Sequence, residues 1–142
     1  MYRKILVTLD TTASDQELLA PIMRLAALLK SELVLLHVAD GWVARNFDQL
    51  NLAESEEMKE DRRYLEETAA RLRAEAGLEV SVRLALGNPP DQILKIADGE
   101  KCDLIALASH GHRLIGDIIH GSTIEAVRHN ARVPILAFPP KK

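Results

Sequence analysis

Very little in this chain supports covalent or redox chemistry. Cys102 is the only cysteine among 142 residues, so no internal disulfide can form and nothing requires an oxidising compartment. Standing directly before Asp103-Leu104-Ile105, it reads as a small buried residue at the start of a strand rather than a reactive thiol. There is no excess of positive charge. The net charge is −3, which supplies no basic field for nucleic acid. No apolar run approaches the length needed to span a bilayer, and MYRKILVTLD is too short in apolar residues to act as a secretory signal. The expectation is a soluble, cytoplasmic protein with neither nucleic-acid nor membrane partners.

Motifs for fast phosphoryl or acyl transfer are missing too. No G-x-x-x-x-G-K-[ST] sequence occurs, so no loop lysine is placed to neutralise β- and γ-phosphates. Ser109 and His110 are neighbours in sequence, but adjacency makes no hydrogen-bonded dyad, and no third orienting carboxylate can be assigned. His110, His112 and His120 surround Asp117 without the i, i+4 helical spacing of a metal site, so no metal is expected. His37, within an apolar run, reads as a satisfied neutral core histidine. His129, with Arg128 and Arg132 nearby, suits a helix C-terminus.

What the chain does have is a hydrophobic content of 47% with 27% charged residues, a globular balance. Its length fits a single domain over residues 1–142. Apolar runs at Ile5 to Leu9, Leu33 to Val38 and Leu104 to Ala108 read as strands buried on both faces, while Val80-Ser81-Val82-Arg83-Leu84 alternates like an edge strand. Pro134-Ile135-Leu136-Ala137-Phe138 is the last strand, and Pro139-Pro140-Lys141-Lys142 reads as a solvated tail.

Helix-period segments lie between the strands. Leu18, Leu19, Ile22, Leu25, Ala26 and Leu29 mark the first, with Pro21 as a local bend or the end of a first turn. Met58, Leu65, Ala69, Leu72 and Ala76 mark a charged second helix that Gly77 terminates. Asn88-Pro89-Pro90-Asp91 opens a third, and Ile124 and Val127 face inward from a fourth.

This β-α alternation, with right-handed crossovers, predicts an α/β fold: one Rossmann-like open sheet of five parallel strands in order 3-2-1-4-5, with helices on both faces. Strands one and four then lie side by side where the winding reverses, and ligands in such sheets bind outside the carboxyl ends of the strands at that reversal. The last strand is an edge yet apolar on both faces, which predicts a homodimer pairing through it.

The loop that follows the fourth strand is the one segment whose spacing asks for a ligand. Leu107-Ala108-Ser109-His110-Gly111, a nine-residue spacer and Gly121-Ser122 place small residues where a polyanion can approach the backbone. Gly121-Ser122 is expected to open the fourth helix and present free N–H groups, an arrangement suited to phosphate. The same pattern also fits a plain strand–loop–helix connection with Ser122 as an ordinary cap. His110 is placed over a phosphate or ribose, Arg113 in solvent. Residues 41–51, with Trp42 and Phe47, form either a partner surface or lid, or ordinary core.

Together with KILVTLD, ELVLLHV, GNPPDQI, DLIALASHG and HNARVPILAF, this motif resembles the nucleotide-binding universal stress proteins over the whole length. The family motif G-x2-G-x9-G-[ST] appears as Ala108-x2-Gly111-x9-Gly121-Ser122, with alanine at the first glycine. A negative φ at Ala108 would mean only one extra methyl near the ligand. A positive φ would mean strain.

The resemblance implies that Gly111, Gly121, Ser122 and Thr123 surround the phosphates of ATP, with or without Mg2+, and that Leu107 and Ala108 lie near ribose and base. It places Asp10 beside adenine or ribose, where the residue alone would read as a helix cap. Thr8 and Leu9 line the same wall, and Val38 packs against adenine. Thr11-Thr12 stands where many members carry Gly-Ser, which stiffens the first loop. The implied function is a homodimeric ATP-binding regulatory or sensor module of the stress response, not an enzyme of rapid turnover. Slow ATP hydrolysis or adenylyl transfer in the same crevice, and a dimeric interaction module without nucleotide, are the competing expectations.

Overall fold

The computed structural model describes residues 1–39, 56–108 and 115–139, excepting the side chains of residue 57 and residues 115–122. Nine elements follow in order among them: β1 (Lys4–Thr8), α1 (Asp15–Leu29), β2 (Glu32–Ala39), α2 (Glu56–Ala76), β3 (Val80–Leu86), α3 (Pro89–Gly99), β4 (Leu104–Ala108), α4 (Ile115–Asn130) and β5 (Ile135–Phe138). The strands form one sheet, β3-β2-β1-β4-β5, with every pairing parallel. This is the order expected from the alternation of elements.

Strand periodicity divides the core in two, because successive side chains point to opposite faces. Ile5, Val7, Leu33 and Leu35 pack with Leu18, Leu19 and Ile22 of α1 and Leu65, Ala69 and Leu72 of α2. Leu6, Val34, Leu36, Ile105 and Leu107 pack on the other face against Ile93 and Ala97 of α3 and Val127 of α4. Both faces of β1, β2 and β4 are therefore dry, which is why their sequences are continuous apolar runs. Truncating one of these buried leucines to alanine costs about 2–5 kcal/mol, so the strand ends rest on a rigid platform.

Helix boundaries have local causes. The Asn88 side chain accepts from the Asp91 N–H at 3.3 Å and Pro89 and Pro90 occupy the first turn of α3. Gly77, at φ +63, takes the left-handed turn after α2. Pro21 does not end α1, which continues through it. Its ring removes the N–H that would have bonded the carbonyl four residues earlier and crowds that carbonyl, and the buried stripe on either side holds the helix together.

One expectation is corrected. α4 begins at Ile115, not at Gly121-Ser122, so that pair lies inside the helix. Ile118 and Ile119 follow Ile115 at three- and four-residue steps, a helical spacing that continues through Ile124 and Val127 and outweighs the cap signal of a Gly-Ser pair. In a continuous helix the N–H groups at 121–123 bond to carbonyls four residues earlier, so they are not free in this conformation.

Candidate functional site

Parallel register brings the carboxyl ends of β1, β2 and β4 together. Thr8 pairs with Leu36, Val38 lies two residues beyond that pair, and Val7 pairs with Ala106 immediately before Leu107 and Ala108. The sheet thus gathers Thr8, Leu9, Asp10, Val38, Leu107 and Ala108 at the point of winding reversal. The Leu9 and Leu107 side chains are buried in the cores on opposite faces of the sheet. Thr8, Asp10, Val38 and Ala108 are half-buried. Ala108 is a strand residue paired with Phe138 and is not among the residues of positive φ. Alanine at this motif position therefore adds a methyl group without backbone strain.

The loop after β1 is the best-defined part of the site. Its Leu9 N–H donates to the Leu36 carbonyl at 2.8 Å. The Leu9 carbonyl accepts from His37 Nδ1 at 2.7 Å, which fixes that nitrogen as the protonated one because a carbonyl can only accept. His37 is hydrogen-bonded as expected but half-buried rather than in the core, and its Nε2 lies 3.5 Å from Asp61 Oδ2 on α2.

Asp15, the first residue of α1, reaches back to the loop. Its Oδ1 accepts the Asp10 N–H at 2.9 Å, and its Oδ2 accepts both the Thr11 N–H at 2.9 Å and the Tyr64 hydroxyl at 2.8 Å. Burial pushes the Asp15 carboxyl above its usual pKa, against the pull of these donors. Burial and the adjacent carboxylate likewise hold the Tyr64 phenol above its ordinary range.

Asp15, Tyr64 and Asp61 were not singled out by sequence reasoning. A carboxylate in a helix's first turn is a common dipole partner, and Tyr64 stands among the charges of α2. What joins them is a tertiary contact across 49 residues. His110 and Gly111 lie outside the described residues, as do Ser109, His112, Arg113 and the 41–51 segment; the side chains of Gly121 and Ser122 are likewise outside. Thr123 is buried on α4. No group of three metal-ligating side chains occurs among the described residues.

A five-stranded parallel sheet in the order 3-2-1-4-5, with an aspartate just after β1 at the point of winding reversal, goes with a match to the model of the Universal stress protein family over residues 1–139. The chain belongs to the universal stress protein family. The family's MJ0577 from Methanocaldococcus jannaschii is 27% identical over 157 residues, covering 99% of this chain and 97% of that protein. The solved MJ0577 structure superposes with a TM-score of 0.75, covering 100% of this chain and 99% of that one.

Two further family structures share the fold at lower identity. An Archaeoglobus fulgidus universal stress protein in complex with dAMP is 21% identical with a TM-score of 0.69, covering 96% and 97% of the two chains. A universal stress protein in complex with cAMP is 20% identical with a TM-score of 0.69, covering 97% of each.

Proposed function

We propose that this universal stress protein binds ATP in the crevice between the loop 9–12 and the end of β4, and that it works as a homodimeric regulatory module. The observation that carries the reading is the meeting of Asp10, Val38 and Ala108 at one reversal point, with Ala108 in unstrained strand geometry. Asp10 is the polar group placed to accept from ribose or adenine, and Val38 gives an apolar wall for the base. Gly111, Gly121, Ser122 and Thr123 would hold the phosphates, with His110 above them. Mg2+, where it enters, would come with the triphosphate. Related proteins crystallised with dAMP and cAMP support an adenine nucleotide as the ligand class.

Phosphate contact from the 121–123 amides requires α4 to restart near Gly121, since those groups are otherwise committed within the helix. Binding would therefore exchange helical hydrogen bonds for phosphate contacts and reorganise residues 109–120, and that change of shape is the signal we assign to the protein. The outer edge of β5, last in the strand order and with Leu136 and Phe138 half-buried, is the surface proposed to pair with a second copy.

Equilibrium titration of the wild type and Asp10→Ala with ATP tests the reading. The wild type should bind saturably, and the variant should lose about tenfold in affinity, the equivalent of one charge-assisted hydrogen bond. Equal affinity in the two would remove Asp10 from the site.

A further inference from the structure

The loop that carries Asp10 is held by side chains that all lead to α2. Leu9 and Asp10 share one peptide group, and that group is gripped at both ends: its carbonyl oxygen by His37 at 2.7 Å and its N–H by Asp15 at 2.9 Å. A peptide plane held at both its donor and its acceptor resists rotation, which restrains the backbone that carries the Asp10 side chain. The next amide, from Thr11, bonds the second oxygen of Asp15. Two successive amides around one carboxylate make the concave nest that backbone N–H groups form around anions.

Thr11 needs this support. At φ +62 it is a β-branched residue in the left-handed region, a conformation that persists only where its surroundings enforce it. The enforcing carboxylate is itself buried at 3% exposure, and its remaining donor comes from α2 as the Tyr64 hydroxyl. The Tyr64 hydroxyl also lies 3.4 Å from the Thr12 carbonyl in the same loop. Asp61, three residues before Tyr64 and so on the same helix face, stands behind His37 on the other side of the peptide.

We propose that Asp15 and Tyr64 form a latch that fixes the loop 9–12 in its ligand-ready shape, making them positioning residues through which α2 sets the grip on the nucleoside. The effect on affinity rests on the nucleotide-binding reading above; the latch itself does not. Because Asp15 already fills the amide nest, these N–H groups are not a phosphate site. The latch acts on Asp10 and hence on the ribose and base end of the ligand. Coupling of this kind is reciprocal, so a bound nucleoside would stiffen the Asp61–Tyr64 face of α2 in return.

The test uses Tyr64→Phe, which removes one hydroxyl, and Asp15→Asn, which replaces one acceptor by a donor. In the ligand-free protein, exchange of the Asp10 and Thr11 amides should accelerate about tenfold or more in both variants, while the core amides of Leu6 and Val34 keep their protection. Affinity for ATP should fall about five- to tenfold, and affinity for inorganic tripolyphosphate should not change, a split that a general loss of structure would not produce. Unchanged exchange at Asp10 and Thr11 overturns the latch. Faster exchange with unchanged ATP affinity overturns its role in positioning. If Asp15→Asn does not fold, Tyr64→Phe decides alone; if the wild type binds no nucleotide, the nucleotide reading fails while the exchange rates still decide the latch.

Discussion

At the scale of single residues, environment decides chemistry. Cys102 is 5% exposed, and burial pushes its thiol up to about 11. The thiolate is the nucleophile, so at neutral pH this residue is inert twice over, through protonation and through access. Iodoacetamide should leave the native protein unlabelled and modify it stoichiometrically in denaturant. Labelling of the native state at the rate of a free thiol would contradict this account. Cys102 was legible from its place before a buried strand, and so was the hydrogen bonding of His37, which the structure leaves half-buried. Asp15 was not, because its partners at Asp10, Thr11 and Tyr64 meet only after three elements have packed.

The charged residues around β3 show the same dependence on tertiary context. Arg83 and Lys4 grip Glu100 at 2.9 Å and 3.5 Å. Desolvation opposes ionisation of this carboxyl, but the two cations together hold it below its usual range. These contacts lie on a partly exposed rim, so their contribution is small. They tie the middle of β3 and the start of β1 to the turn after α3.

At the scale of elements, the hydrophobic pattern carried most of the information. Continuous apolar runs marked β1, β2 and β4 because both their faces are covered, and the proline pair after Asn88 marked the start of α3. The start of α4 was misplaced because two local signals compete there. Gly121-Ser122 is a good cap, but the isoleucine spacing upstream is a good helix, and the helix extends over the cap. The proposed function turns this conflict into a prediction. ATP should accelerate hydrogen exchange at the Ile119 and His120 amides, whose helical acceptors would be lost, while Val127 in the buried half of α4 is unaffected. Unchanged exchange at both positions under saturating ATP would contradict a helix that restarts at Gly121.

At the scale of the whole molecule, parallel topology made the strand order readable. Right-handed crossovers leave few arrangements for five parallel strands, and a dry β1 belongs in the middle. The proposed site is argued from that order, since strand reversal fixes where a crevice can open. No helix among the described residues is long and apolar enough to cross a membrane. Assembly is the remaining large-scale claim, and it rests on the apolar edge at β5. Sedimentation should give twice the 15.8 kDa chain mass. Ala137→Lys, a charge placed at an exposed position of that edge, should shift the protein to monomer with little change in thermal stability. A wild-type monomer, or a variant that stays dimeric, would place the interface elsewhere or remove it.

The central claim is that an unstrained Ala108 and a fixed Asp10 leave a working adenine-nucleotide crevice. Calorimetric titration of the ligand-free protein with ATP, run beside inorganic tripolyphosphate, tests it most directly. The account predicts saturable binding of one ATP per chain, and weaker binding of tripolyphosphate because the wall formed by Asp10 and Val38 then has nothing to hold. No saturable heat with ATP at millimolar concentration, or equal affinity for the two ligands, would contradict it.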